Sequence, residues 1–155
     1  MTSRVLVCVD GSDLAMQAAA SGLAVLHPEA QLTLVTVIDE PDPTLVTGGG
    51  FTGSTMSEEE FEAQNAARLA EAEALLAATK QALGLTDADQ SVLSGPAGPM
   101  VCDYALEVSA EAIVIGSRGH GGIRRAILGS VSDHIVRHAP CTVLVTGHDA
   151  VEDDG

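Results

Sequence analysis

Short apolar runs recur along the chain, separated by polar and glycine-rich stretches. They are Arg4-Val-Leu-Val-Cys-Val9, Gln31-Leu-Thr-Leu-Val-Thr-Val-Ile38, Ala112-Ile-Val-Ile-Gly-Ser117 and Cys141-Thr-Val-Leu-Val-Thr146, with a weaker one at Gln90-Ser-Val-Leu-Ser94. The β-branched content and length of each predict a strand. The stronger runs are continuous rather than alternating, which predicts burial on both faces.

Between the runs the apolar period lengthens to that of a helix. Ala15, Ala18, Ala19, Gly22, Leu23 and Leu26 predict one buried face, capped by Ser12 with Asp13 in the first turn and stopped at His27-Pro28. Residues 39–57 are rich in Pro, Gly, Ser and Thr and predict a mobile loop. Ser57 and Glu60 then form a capping box for a long helix to about Leu83, with Gly84 at its end. Its inward face is Phe61, Asn65, Leu69, Ala72, Leu76, Thr79 and Leu83, and its acids fall mostly on the solvated faces. Gly95-Pro-Ala-Gly-Pro99 predicts a turn with Pro99 at the first helical position, followed by a face of Val101, Cys102, Ala105 and Val108. Val131, Ile135 and Ala139 predict a short helix over 130–138.

The order βαβαβαβαβ, with right-handed crossovers, predicts an α/β fold: an open parallel sheet covered by helices on both faces. Ligands of such sheets bind beyond the carboxyl ends of the strands, at the topological switch point. Residues 1–147 form the expected single domain, and the acidic tail 148–155 is expected to fray.

Composition narrows the function. Net charge is −15 with seven basic residues, which argues against binding nucleic acid or docking on anionic membranes. No apolar run approaches the ~18–20 residues that span a bilayer. Asp10 comes too soon for a signal peptide. Cys8, Cys102 and Cys141 form no CxxC pair and read as free thiols of a reducing cytoplasm. The acidity fits either ordinary solubility or adaptation to high salt, since Lys80 is the only lysine.

The loop after the fourth strand carries the clearest chemistry. Gly116 and Gly119 permit close backbone approach, and Gly129-Ser130 opens a helix whose first N–H groups suit an anion such as phosphate. Arg118, Arg124 and Arg125 place three of the six arginines there. A plain turn with arginines balancing local acids is the competing reading. Neither a Walker A ending nor GxGxxG after the first strand is present. His134 and His138 have metal-ligand spacing but no third ligand in reach along the sequence, and no metal site is expected. No GxSxG elbow, paired carboxylates or dedicated general base stands out, so no catalytic residue is assigned.

The spacing Gly116-x2-Gly119-x9-Gly129-Ser130 resembles the nucleotide-binding signature of the universal stress protein family. Chance alone produces it in roughly one chain in 200 of this length. The first two strands, AEAIVIGSRG and LGSVSDHIVRHAPCTVLV resemble the family in order, over about residues 3–146. The resemblance implies a Rossmann-like, five-stranded parallel sheet in order 3-2-1-4-5, related to that of ATP pyrophosphatases but without their early Ser-Gly-Gly phosphate loop. It implies ATP binding, with Mg²⁺ held through the phosphates, and a homodimer through residues 141–146. Carried over by position, Asp10 lies near ribose and adenine, Val37 meets adenine through its backbone, and Gly116, Gly119, Gly129, Ser130 and Val131 surround ribose and phosphates. Arg118 and Ser132 add phosphate contacts. Asp10 is equally a turn or cap residue by its own chemistry. Thr142 stands where many relatives have Pro, which bears on the dimer contact.

The function implied is a nucleotide-dependent stress-response regulator, in which triphosphate orders the 117–128 loop for a protein partner. The alternatives are a slow ATPase or phosphotransfer enzyme, a binder of AMP or cyclic AMP, and a nucleotide-free dimeric scaffold.

Overall fold

The computed structural model describes residues 2–42, 44, 56–117 and 128–147. Most of the expected 39–57 loop, Arg118 to Ile127, and the tail from His148 lie outside the described residues. The elements run β1 (Arg4–Cys8), α1 (Asp13–Leu23), β2 (Gln31–Ile38), α2 (Glu58–Ala82), β3 (Asp89–Ser94), α3 (Ala97–Glu107), β4 (Ala112–Gly116), α4 (Ser130–His138) and β5 (Thr142–Thr146). The five strands form one parallel sheet in the order β3-β2-β1-β4-β5.

Strand alternation splits the core into two layers. Leu6, Val35, Ile113 and Ile115 face α3 and α4, where they meet Val101, Cys102, Ala105 and Ile135. Val5, Val7, Leu34 and Val114 face α1 and α2, where they meet Ala19 and Leu76. Leu6, Leu34 and Ile113 are fully buried. Each such side chain contributes about 1.5–3 kcal/mol by burial. With almost no aromatics, helices approach the sheet closely through small residues. A Cβ on Gly22 of α1 would run into Val114 Cγ1, so glycine is a packing requirement there.

The caps explain most of the boundaries. Ser12 accepts from the Ala15 N–H at 3.1 Å, and Ser57 and Glu60 form the expected reciprocal box. Gly84 sits one position past the cap residue Leu83 of α2, at φ +68°, where Gly84 N–H reaches Gln81 O and Leu85 N–H reaches Lys80 O. This is a Schellman ending, with Leu85 packed against the α1/α2 core.

Two boundaries and one helix face depart from the sequence pattern. α1 loses its helical bonding at Leu23, before His27-Pro28, because Val25 N–H to Gly22 O and Leu26 N–H to Leu23 O tighten the last turn. α3 begins at Ala97 with Pro96 as its cap, so Pro99 occupies the third helical position rather than the first. Its missing N–H still falls among the first-turn donors that lack intrahelical partners. Leu69, on the expected inward face of α2, is 42% exposed, and no residue of α2 before Ala72 is buried. A helix of 25 residues is about 37 Å long. It outruns the strands it covers, and among the described residues its N-terminal half meets no buried core.

Candidate functional site

β1 is central, with β2 on one side and β4 on the other, and the chain leaves those neighbours towards opposite faces of the sheet. This is the switch point, and a crevice opens there beyond the carboxyl ends.

β1 delivers Asp10 to that crevice, held in a turn. Asp10 Oδ1 accepts from the Ser12 N–H at 2.9 Å and from the Ser12 hydroxyl at 2.6 Å. Ser12 in turn caps α1. Gly11 between them has φ +85°, and an added Cβ would stand 2.6 Å from Leu75 Cδ1. Its carboxylate organises the turn, and Asp10 also lines the cleft beyond β1.

β2 contributes its backbone. Val9 N–H donates to Val35 O at 2.9 Å, so Val35 turns its carbonyl towards β1. Gly95 N–H donates to Ile38 O at 3.0 Å, so Ile38 turns towards β3. By alternation Val37 turns its N–H and C=O towards β1. β1 has left the sheet by that level, so the two groups face the space it vacates. The Val37 side chain packs on the core beneath.

A cleft of about 400 Å³ occupies this space, lined by Asp10, Thr36, Val37, Ile38 and Asp39 from the strands and by Arg68, Glu71, Ala72 and Leu75 from α2. Sequence reasoning did not single out Thr36, Asp39, Arg68 or Glu71. Arg68 and Glu71 flank the apolar stripe of α2 three residues apart, a spacing that puts them on one shoulder of the helix.

On the other side of β1 the sheet hands over to α4. Gly116 pairs with Thr146, and Ser117 N–H donates to Thr146 O at 3.0 Å. Gly129 N–H donates back to Ser117 O at 2.8 Å and is the N-cap of α4, with no side chain to satisfy the first-turn amides. Ser130 and Val131 at the helix start are both exposed. Ser132 is buried, with its hydroxyl 3.0 Å from Gly129 O and 3.2 Å from Ser117 O. One hydroxyl proton serves one carbonyl at a time, so here Ser132 ties the helix entry to the end of β4. Asp133, also in the first turn, is drawn aside by Arg137 at 3.0 Å. Arg118 and Gly119 lie outside the described residues, as do His120, Arg124 and Arg125.

The sequence matches the universal stress protein family over residues 1–147. The chain belongs to that family. It is 32% identical over 145 residues to a universal stress protein of Thermus aquaticus, covering 94% of this chain and 98% of the relative. The universal stress protein UspA of Lactobacillus plantarum superposes with a TM-score of 0.72 at 26% identity, covering 93% of this chain and 97% of that one. Two more distant family structures share the fold. A universal stress protein in complex with cAMP has a TM-score of 0.58 at 22% identity, covering 93% of this chain and 94% of that one. An Arabidopsis thaliana member with AMP bound has a TM-score of 0.60 at 17% identity, covering 96% and 93%.

As a universal stress protein, the chain carries other reactive groups in settled environments. The His134 and His138 rings stack with centroids 4.2 Å apart and planes 20° apart, and His138 Nδ1–H donates to His134 O at 2.9 Å. Stacked rings do not aim two nitrogens at one ion. Among the described residues no group of three His, Cys, Asp or Glu is placed to hold a metal ion. Burial pushes the Cys8 thiol up to about 12. Burial also raises Cys102, helped by Asp103, and Cys141, helped by Cys102. All three are free thiols held in the protonated, weakly nucleophilic form. Among the described residues no helix is long and apolar enough to cross a membrane.

Proposed function

We propose that this universal stress protein binds ATP across the carboxyl ends of β1, β2 and β4 and works as a nucleotide-dependent regulator. The observation that carries this reading is a pair of unlike features on either side of the end of β1. One side presents carboxylates and a backbone edge; the other presents a helix N-terminus capped only by glycine. An N–H and a C=O from Val37 match the ring acceptor and exocyclic amine on one edge of adenine. Asp10 accepts from ribose hydroxyls and repels phosphates, so the nucleoside lies over β1 and β2. The phosphates then reach the amides of Ser130, Val131 and Ser132 on α4, where the helix dipole favours negative charge. Gly129 and Gly116 allow the approach, and Gly119 and Arg118 complete the phosphate end. Mg²⁺ is held by phosphates and waters. The AMP and cAMP named for two distant family members support an adenine nucleotide as the ligand class.

The regulator is a homodimer joined through residues 141–146, and its bound nucleotide state is read by a protein partner. The test is the nucleotide content of protein purified without added ligand, denatured and run on anion exchange. Stoichiometric ATP is the expected result. Empty protein that also fails to bind added ATP, AMP or cyclic AMP sinks the reading and leaves a scaffold.

A further inference from the structure

The α2 wall of the cleft carries a group that the adenine-binding reading leaves unused. Leu75 and Arg68 are two turns apart on one line of the helix, with Ala72 beside them, and all three line the cleft. Leu75 fixes where that line runs: a Cβ on Gly11, in the turn after β1, would stand 2.6 Å from Leu75 Cδ1. α2 joins the parallel strands β2 and β3, so it runs back against them. Residues before Leu75 therefore lie further beyond the carboxyl ends, and Arg68 stands over the crevice.

The protein leaves Arg68 without an internal task. Of the three arginines among the described residues, Arg4 donates to Val108 O at 3.1 Å and Arg137 pairs with Asp133 at 3.0 Å. Arg68 makes no hydrogen bond or ion pair with a described residue, although Glu71 stands at a spacing that permits one.

A base that pairs with the N–H and C=O of Val37 extends the sheet in its own plane, as a neighbouring strand would. Its two faces then turn to the two helix layers. On the α2 side it meets the apolar Ala72 and Leu75, with Arg68 beyond them. Among the described residues no aromatic side chain lines the cleft, and the whole chain has one tyrosine, two phenylalanines and no tryptophan. The flat group on offer is a guanidinium, which is weakly hydrated and attracted to the face of an aromatic ring. A phosphate suits Arg68 less, because Glu71 and Asp39 line the same cleft and oppose an anion.

Resting on the adenine-nucleotide reading above, we propose that Arg68 is a base-stacking residue, whose guanidinium lies on the α2-side face of the ring and makes α2 part of the binding site.

Calorimetric titration of the full chain with adenosine, AMP and ATP tests this. Arg68→Lys keeps the charge and loses the planar group; Arg68→Met keeps a long stem and loses both. Each variant is expected to weaken all three ligands by a common factor of about threefold or more. The urea midpoint is expected to stay in place, because Arg68 is an exposed side chain. Full affinity in Arg68→Lys, with ATP weakened more than adenosine in Arg68→Met, overturns the proposal, because Arg68 is then a counter-charge to phosphate. Unchanged affinity for every ligand in both variants overturns it as well. If adenosine binds too weakly to titrate, the same comparison between AMP and ATP decides. Wild-type protein that binds none of the three removes the adenine-nucleotide reading itself, and the stacking contact with it.

Discussion

Ser117 and Ser132 close the gap between β4 and α4: the Ser117 carbonyl, at the end of the strand, lies 3.2 Å from the Ser132 hydroxyl and also accepts from Gly129 N–H at 2.8 Å. The carbonyl thus joins the last residue before the glycine-rich segment to the helix that follows it. The ends of that segment are tied together by a side chain, which fixes where α4 starts relative to the end of β4.

Replacing Ser132 with Ala removes that tie and leaves the backbone bond. A buried hydroxyl donating to carbonyls contributes about 1 kcal/mol. Ser132→Ala is expected to lower the free energy of unfolding by about that amount, read from urea denaturation. ATP affinity should fall in the same variant, because the first-turn amides lose their fixed direction. An unchanged unfolding midpoint with weakened ATP binding would mean that Ser132 contacts phosphate directly and is not a strut.

Gly129 isolates the phosphate end. Its φ of −62° and ψ of 161° lie in a region open to every amino acid, so backbone conformation does not require glycine there. Close approach of a ligand does. Gly129→Val is expected to leave the fold intact at a cost of about 1 kcal/mol, since valine is a poorer N-cap than glycine. ATP affinity is expected to fall about tenfold or more. Unchanged affinity, measured by calorimetry, removes α4 from the site.

The apolar runs made the sheet legible, because four continuous segments and one weaker one, separated by helical periods, admit few arrangements once crossovers are right-handed. The ends were less legible. Pro99 suits a first helical position in isolation, yet Pro96 and the turn at Gly95 (φ +127°) start α3 two residues sooner. Positions at element ends were readable from spacing, and those that depend on packing were not. Asp10, Val37 and Gly129 sit at strand or helix ends that the pattern locates. Thr36 looks like one more interior strand residue, and only the offset of α2, which packs from Ala72 onward, leaves it lining a cleft. The same offset brings Arg68 and Glu71 to that cleft, although both belong to the charged shoulders of an otherwise solvated helix.

Cys8 makes stability sensitive to alkali. Its thiol is raised from 9.0 to about 12, chiefly by burial. A raised value contributes stability that is complete below pH 9 and lost as pH climbs towards 12, because the unfolded chain releases the proton first. Urea midpoints should therefore hold at pH 8 and drop at about pH 10.5, and drop less in Cys8→Ala. An equal drop in both proteins assigns the alkaline loss to other groups. Alkylation at pH 8 should label the buried Cys102 only after denaturant is added.

The dimer contact can be tested at the level of single backbone groups. Among the described residues β5 is an edge strand, paired with β4 alone. In a parallel strand the N–H and C=O of one residue point to the same side, and sides alternate. Thr146 O accepts from Ser117 N–H, so Thr146 and Leu144 serve β4, while Val143 and Val145 turn their backbone groups outward. Those outward groups are what a second copy would pair with. Val145→Pro deletes one of them and spares the β4 ladder, since proline is tolerated where a strand's N–H faces away from its neighbour. Val145→Ala removes side-chain atoms from the same place and keeps the N–H, so it controls for lost packing against the α3/α4 core. Light scattering after size exclusion is expected to show a dimer for the wild type and for Val145→Ala, and a folded monomer for Val145→Pro. A dimer that survives the proline places the interface away from the outward groups of β5, and a monomeric wild type removes the homodimer from the proposed function.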